Sequence, residues 1–167
     1  MLKGFADFGP LASENVKNIV PIIKQILESA ENNLFICDAH AKEDLEMNDF
    51  PIHCIKGSRE AEVVDELKEF AQKYVYKNTT NAFFELNLDE LKKFDTIKIV
   101  GCCTDICVLQ LVLTLQTYFY NQNLKNKIIV YSDAVATYDS LEHNAAQFQE
   151  FALSLMKNAG VIVKKWK

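Results

Sequence analysis

Apolar residues follow two alternating patterns along the chain, short continuous runs and longer stripes with helical spacing. The runs have the length of buried strands, whereas the stripes repeat every three to four residues, as in amphipathic helices. The predicted strands are 33–38, 73–77, 96–103, 127–133 and 161–166. The predicted helices are 13–30, 61–72, 88–94, 105–122 and 140–160. Because Pro21 lies inside the first helical stripe, it either kinks that helix or marks a later start.

This alternation of strands and helices predicts an α/β fold. Strands that are apolar throughout are typical of a parallel sheet buried on both faces. We therefore expect a three-layer, mostly parallel, Rossmann-like sheet with helices on both faces, formed by a single domain over 1–167. In such sheets ligands bind at the carboxyl ends of the strands, so residues that carry chemistry should follow strands directly.

Composition and charge narrow the possible functions. Apolar residues make up 49% of the 167 residues and charged residues 25%, which is typical of a globular protein. A net charge of -5 without a basic cluster argues against nucleic-acid binding, and no apolar run has the length of a membrane span. Five cysteines in apolar segments indicate reduced thiols rather than a disulfide framework. We expect a cytoplasmic protein with a small-molecule substrate.

Carboxylate and imidazole side chains follow the first predicted strand. Asp38 and His40 stand at its end, and Glu46 and His53 belong to the segment that follows. Such side chains bind zinc, manganese or iron and would leave coordination positions open for water or substrate. The alternative is an aspartate that caps a helix beside a surface histidine. His143, inside a predicted helix, has no such neighbours and is interpreted as structural or exposed.

Two further residues stand at or after strand ends. Lys77 closes the second predicted strand, where it either extends to solvent or is held in the cleft. Cys107 falls in the first turn of the helix after the third strand, a helix that Thr104 or Asp105 could cap. There the helix dipole and free N–H groups favour a thiolate, so we expect a thiol pKa below the usual ~8.5. A strand–turn–helix cysteine favours a nucleophile, although a small buried cysteine stays possible.

Four motifs resemble those of the nicotinamidase/isochorismatase-like cysteine hydrolases. They are D-A-H at 38–40, F-P-I-H-C-I-K-G-S at 50–58, K-x3-N-A-F at 77–83 and G-x2-T-D-x-C-V at 101–108. The last motif is specific for the superfamily, and the two histidine motifs are similar to those of the nicotinamidase branch. The resemblance covers nearly the whole chain. It implies a metal-containing amidase of NAD salvage that converts nicotinamide to nicotinate and ammonia through a cysteine thioester.

The resemblance also implies a role for each motif residue. Cys107 would attack the carbonyl and Lys77 would assist it. The N–H groups of Cys103 and Cys107 would form the oxyanion hole, beside a cis peptide between Cys102 and Cys103. A divalent metal ion (zinc, manganese or iron) would be held by Asp38, His40, His53 and Glu46. The substrate's pyridine ring would be flanked by Phe5 and Phe50.

One departure from the family pattern concerns the first residues. The family opens with an apolar strand that ends in a catalytic aspartate, and the sequence from Met1 to Phe5 resembles the segment that begins one residue later. We expect the domain to be N-terminally truncated relative to the family, through a misplaced start codon or a shortened chain, with Asp7 no substitute. Since general acid–base catalysis contributes about 10²–10⁴-fold, this chain would then be weakly active or inactive.

Two alternatives stay open. The chain could be another isochorismatase-like hydrolase that acts on a different amide, carbamoyl or vinyl-ether substrate. It could also be a non-catalytic binding protein or a remnant that forms a homo-oligomer. Metal content separates the first alternative from a nicotinamidase, and turnover of nicotinamide with and without an upstream extension separates the second.

Overall fold

Parallel pairing organises the strands into two sheets in the computed structural model, which describes residues 1–167. The strands are β1 (Phe35–Asp38), β2 (Tyr74–Lys77), β3 (Thr96–Cys102), β4 (Lys127–Ala136) and β5 (Ile162–Lys164). One sheet pairs β1 with β2, and the other has the order β3–β4–β5. Every pair is parallel, and Asp38 lies opposite Lys77 at the ends of β1 and β2.

Helices cover both faces of the larger sheet. They are α1 (Lys3–Ala6), α2 (Glu14–Lys17), α3 (Val20–Glu28), α4 (Leu88–Leu91), α5 (Leu109–Asn121) and α6 (Ala145–Asn158). Ile128 and Val130 of β4 belong to one apolar core together with residues of α5 and α6, whereas Tyr131 belongs to a second core with residues of α2 and α3. The predicted three-layer α/β fold is confirmed. None of the helices combines the length and the apolar character that crossing a membrane requires.

The predicted first helix is two helices. It breaks between α2 and α3, and Pro21 lies in the first turn of α3. Proline is tolerated there because the N–H groups of a first turn make no hydrogen bond within the helix. The last helix begins later than the pattern predicts, at Ala145, because the Asn144 side chain accepts a hydrogen bond from the Gln147 N–H and caps it. Gly160 follows this helix with a φ of 92°, as expected for a residue that terminates a helix.

The predicted helix over 61–72 is wrong. The segment instead contains two short 3₁₀ turns, Arg59–Ala61 and Asp65–Phe70, on either side of an extended stretch. Val63 in that stretch forms an antiparallel bridge with Leu2, and the Lys3 N–H donates to the Glu62 carbonyl over 2.8 Å. Pairing with the N-terminal segment thus holds the backbone extended, which overrides the helical spacing of the side chains.

The sequence pattern predicts one continuous sheet of five strands, but the structure has two separate sheets. The β1 strand pairs only with β2, and β3 pairs only with β4. A cavity of about 100 Å³ lies between the two sheets, with Ile36 of β1 and Val100 of β3 among its lining residues. The side chains of Asp38, Lys77 and Cys107 line the same cavity.

Candidate active site

The carboxyl ends of three strands meet at this cavity. Asp38 ends β1, Lys77 ends β2, and the segment after β3 carries Cys107. Cys107 lies in a π-helical turn, Thr104–Val108, that precedes α5, and not in the first turn of one continuous helix. Neither Thr104 nor Asp105 caps this turn. The rule that chemistry follows strand ends therefore located the site, although the local helix geometry differs from the expectation.

Lys77 connects the thiol to the carboxylate. Its ammonium group forms a buried ion pair with Asp38 and donates a hydrogen bond to the Thr79 carbonyl over 2.9 Å. The Nζ atom also lies 3.7 Å from the Cys107 sulfur. Burial lowers the pKa of Lys77, but the charges of Asp38 and Cys107 raise the pKa by more than burial lowers it. The net pKa of Lys77 therefore lies above its ordinary value. Lys77 is therefore a cation held in the cleft and does not extend to solvent.

The thiol pKa of Cys107 is not depressed, so that expectation is wrong. Burial raises the pKa to about 12. Lys77 and a hydrogen bond from the Cys103 backbone lower the pKa, whereas the charge of Asp38 raises it. Desolvation has the largest effect on the Cys107 pKa because the charge of Lys77 is already compensated by the Asp38 carboxylate that it contacts.

Three potential metal ligands converge at the end of β1. The Nε2 atoms of His40 and His53 each lie 3.8 Å from Asp38 Oδ2, and all three side chains are at least nine-tenths buried. One ligand atom from each residue lies within 4.8 Å of the other two. Ligand atoms about 2.1 Å from one zinc ion are about 3.4 Å apart in a tetrahedral site, so a small inward movement suffices. The predicted convergence of these residues is present in the structure.

Hydrogen bonding fits these side chains for a metal ion. His53 Nδ1 lies 2.7 Å from the Pro51 carbonyl, which can only accept, so Nδ1 is the donor and Nε2 is the ring nitrogen that faces Asp38. Both ring nitrogens of His40 are buried without a hydrogen-bond partner, and Asp44 lies 3.6 Å from its Nδ1. A buried nitrogen without a partner is costly, and a metal ion would satisfy it.

The fourth predicted ligand, Glu46, does not belong to this group of three converging side chains. Its Oε1 accepts a hydrogen bond from the Thr80 N–H over 2.8 Å and so holds the loop after β2. The pKa of Asp38 is raised by burial but lowered more strongly by His40 and Lys77, so this carboxylate is ionised and able to bind a cation. Glu46 as a ligand stays a prediction.

The remaining predicted residues surround the same region. The rings of Phe5 and Phe50 lie 5.7 Å and 6.4 Å from the His53 ring, both in edge-to-face geometry. The Cys102–Cys103 peptide is cis, as the resemblance implies.

Sequence reasoning missed one buried pair. His143 is not exposed and not within a helix: it precedes α6, and its Nε2 lies 2.7 Å from Asp105 Oδ2 on the Cys107 turn. The position of His143 in the sequence could have indicated this pair, because the residue follows the end of β4 at the same edge of the sheet.

Comparison with known proteins adds a family and close structural neighbours. The isochorismatase domain matches residues 1–166. Nicotinamidase 1 of Arabidopsis thaliana is 28% identical over 194 residues, covering 99% of this chain and 79% of the plant protein. A pyrazinamidase/nicotinamidase of Streptococcus mutans superposes with a TM-score of 0.81 and 26% identity, covering 97% of this chain and 94% of the other. A Pyrococcus horikoshii pyrazinamidase in complex with zinc has the same fold, with a TM-score of 0.79, 20% identity and coverage of 99% and 95%.

Proposed function

The chain belongs to the isochorismatase family, as a cysteine hydrolase acting on amide C–N bonds, and we propose that it hydrolyses nicotinamide to nicotinate and ammonia. The observation that carries this proposal is the contact of Lys77 with both Cys107 and Asp38, because it links the proposed nucleophile to one of the three converging candidate metal ligands. The relatives named above are named for nicotinamide and pyrazinamide, which are planar aromatic amides.

Cys107 is the proposed nucleophile. Its sulfur attacks the amide carbon, forms an S–C bond and, as the C–N bond breaks, leaves an acyl thioester while ammonia departs. The thiol proton goes to the leaving nitrogen, and water then cleaves the thioester to give the acid and the free thiol. The Lys77 ammonium lies 3.7 Å from the sulfur and stabilises the negative charge that the sulfur gains during attack.

Backbone donors stabilise the carbonyl oxygen in this proposal. As the sulfur attacks, negative charge builds on that oxygen, and the N–H groups of Cys103 and Cys107 are the assigned donors. Cys103 is the N-cap residue of the turn that contains Cys107, which supports its place in the assignment. Loss of one such donor typically lowers kcat by about 10²–10³-fold, so the geometry of this turn is expected to be a large part of catalysis.

Asp38, His40 and His53 are the proposed ligands of a divalent metal ion. Such an ion would supply Lewis-acid chemistry at this end of β1. The Pro51 carbonyl orients His53 for this task, and the ionised Asp38 compensates the added charge. Phe5 and Phe50, which approach His53 edge-on, are proposed to flank the substrate ring.

Paired measurement of the two products tests the proposal. Purified protein supplied with zinc should release nicotinate and ammonia in equal amounts from nicotinamide. Cys107→Ala should reduce the rate to background, and Cys107→Ser should stay far below the parent because an alcohol is a poorer nucleophile. Removal of zinc by a chelator should lower the rate, and zinc should restore it. Metal binding without turnover of nicotinamide, both by this chain and by a chain extended with an apolar strand that ends in Asp, would instead favour another substrate of the family.

A further inference from the structure

The buried pair of His143 and Asp105 lies behind the nucleophile. Asp105 precedes Cys107 by two residues in the same π-helical turn, and His143 is 8% exposed. The imidazole lies between two aromatic rings, with centroid distances of 4.1 Å to Tyr138 and 3.9 Å to Phe148. These stacking contacts fix the ring plane, so the side chain that holds Asp105 has little freedom to move.

Hydrogen bonding determines how many protons the pair carries. His143 Nδ1 lies 2.9 Å from the Tyr138 carbonyl, which can only accept, so Nδ1 carries a proton. Nε2 lies 2.7 Å from Asp105 Oδ2, and a contact of that length between a nitrogen and a carboxyl oxygen needs a second proton. Whether that proton belongs to the imidazole or to the carboxyl group, the pair as a whole has no net charge.

An unneutralised carboxylate at Asp105 would oppose catalysis. Its other oxygen, Oδ1, is buried and has no hydrogen-bond partner, so His143 is the side chain that compensates it. Its charge also acts on a neighbouring side chain: the pKa of the Cys103 thiol is raised by contact with Cys102, by burial and by Asp105. Because Asp105 and Cys107 belong to the same turn, an uncompensated carboxylate there would repel negative charge on the sulfur or on the substrate oxygen.

We propose that His143 is a positioning residue for the Cys107 turn. It fixes the Asp105 side chain and neutralises its charge, so that the sulfur and the backbone donors act without a competing anion. The role in the reaction rests on the proposed function, but the effect on the reactivity of Cys107 does not. His143 touches neither substrate nor sulfur and acts through Asp105 alone.

The test compares His143→Gln with the double variant His143→Gln/Asp105→Asn. The rate of Cys107 alkylation by iodoacetamide is followed at one fixed pH by peptide mass spectrometry. We expect His143→Gln to lower that rate by about tenfold or more, because the carboxylate is then without its partner. The double variant should recover to within about threefold of the parent, because it contains no charge to compensate. In turnover, kcat should follow the same order while KM changes little.

Two results would overturn the inference. One is alkylation of Cys107 in His143→Gln at the parental rate. The other is a double variant in which Cys107 is alkylated as slowly as in the single variant, and this result would indicate a merely structural contact. Should His143→Gln fail to fold, as judged by thermal unfolding, Asp105→Asn with intact His143 takes its place and must keep the parental alkylation rate. A parent that is alkylated but does not hydrolyse nicotinamide would contradict the proposed function alone.

Discussion

At the scale of single residues, two opposing effects determine the reactivity of Cys107. The Lys77 ammonium favours the thiolate, but it also contacts Asp38, whose negative charge offsets it. Burial removes the hydration that a thiolate needs, and this effect on the pKa is larger than that of the Lys77 charge. The metal-free protein therefore contains a protonated thiol at neutral pH, close to a cation that can stabilise the anion once it forms.

The pH dependence of Cys107 alkylation follows from its pKa of about 12. Because the folded-state pKa lies above the usual thiol value, the proton stays bound until the pH approaches the folded value. We predict that the alkylation rate of the metal-free protein rises steadily with pH and has no plateau near ~8.5. Iodoacetamide labelling measures this rate, and Cys107→Ala identifies the signal of the other cysteines. A plateau below about pH 9 would show an activated thiol instead.

Metal affinity should depend unequally on the residues near the end of β1. We predict that His53→Ala lowers zinc affinity at least about 100-fold, because one of three converging nitrogen and oxygen ligands is lost. Glu46→Gln is the matched control, since an amide oxygen can still accept from the Thr80 N–H, and it should retain affinity within about threefold. Calorimetric titration with zinc compares the two. An equal loss in Glu46→Gln would identify Glu46 as the fourth ligand.

Residue types and strand ends predicted much of the site, and burial explains the rest. Asp38, Lys77 and Cys107 could be placed together because the carboxyl ends of parallel strands share one edge. The raised pKa of the Cys107 thiol could not be predicted, since the hydration of a side chain depends on the folded structure and not on the neighbouring sequence. His143 was missed because its partner, Asp105, is 38 residues away and the contact exists only after folding.

At the scale of elements, long-range pairing overrode local pattern in one place. The spacing over 61–72 is helical, yet the bridge between Leu2 and Val63 requires an extended backbone. No feature of 61–72 alone indicates that partner. The strands were predicted well because their side chains are apolar on both faces, and this property belongs to the segment itself.

The cavity between β1 and β3 leads to a prediction about an added strand. Each of these strands has one unpaired edge, and the cavity lies between the sheets. An N-terminal extension with an apolar strand that ends in Asp should pair there, raise the free energy of unfolding and increase turnover. Each fully buried large apolar side chain adds about 1.5–3 kcal/mol, and a carboxylate near Cys107 supplies a proton carrier worth about 10²–10⁴-fold.

The same extension ending in Asn separates these two effects. It should retain the added stability in urea denaturation and lose the added turnover, because an amide cannot carry the proton. Equal turnover by the 167-residue chain and the Asp-extended chain would show that a residue of this chain performs the proton transfer.

At the scale of the whole molecule, the layered fold brings distant segments to one cavity. Two apolar cores on opposite sides of β4 fix the sheet between its helices. The strand ends then bring together Asp38, Lys77 and Cys107, which are far apart in sequence. The division into two sheets could not be predicted from strand composition, because apolar strands pair equally well in one sheet or in two.

The central claim is that Cys107 forms a covalent acyl intermediate with an aromatic amide. Zinc-supplied protein is mixed with nicotinamide, quenched in acid during turnover and digested for peptide mass spectrometry. We predict a nicotinoyl group on the peptide that contains Cys107 and none on the peptides that contain Cys37 or Cys54, whose thiols are buried. Nicotinate formed without any acylated Cys107, or with the acyl group on another cysteine, would contradict the account.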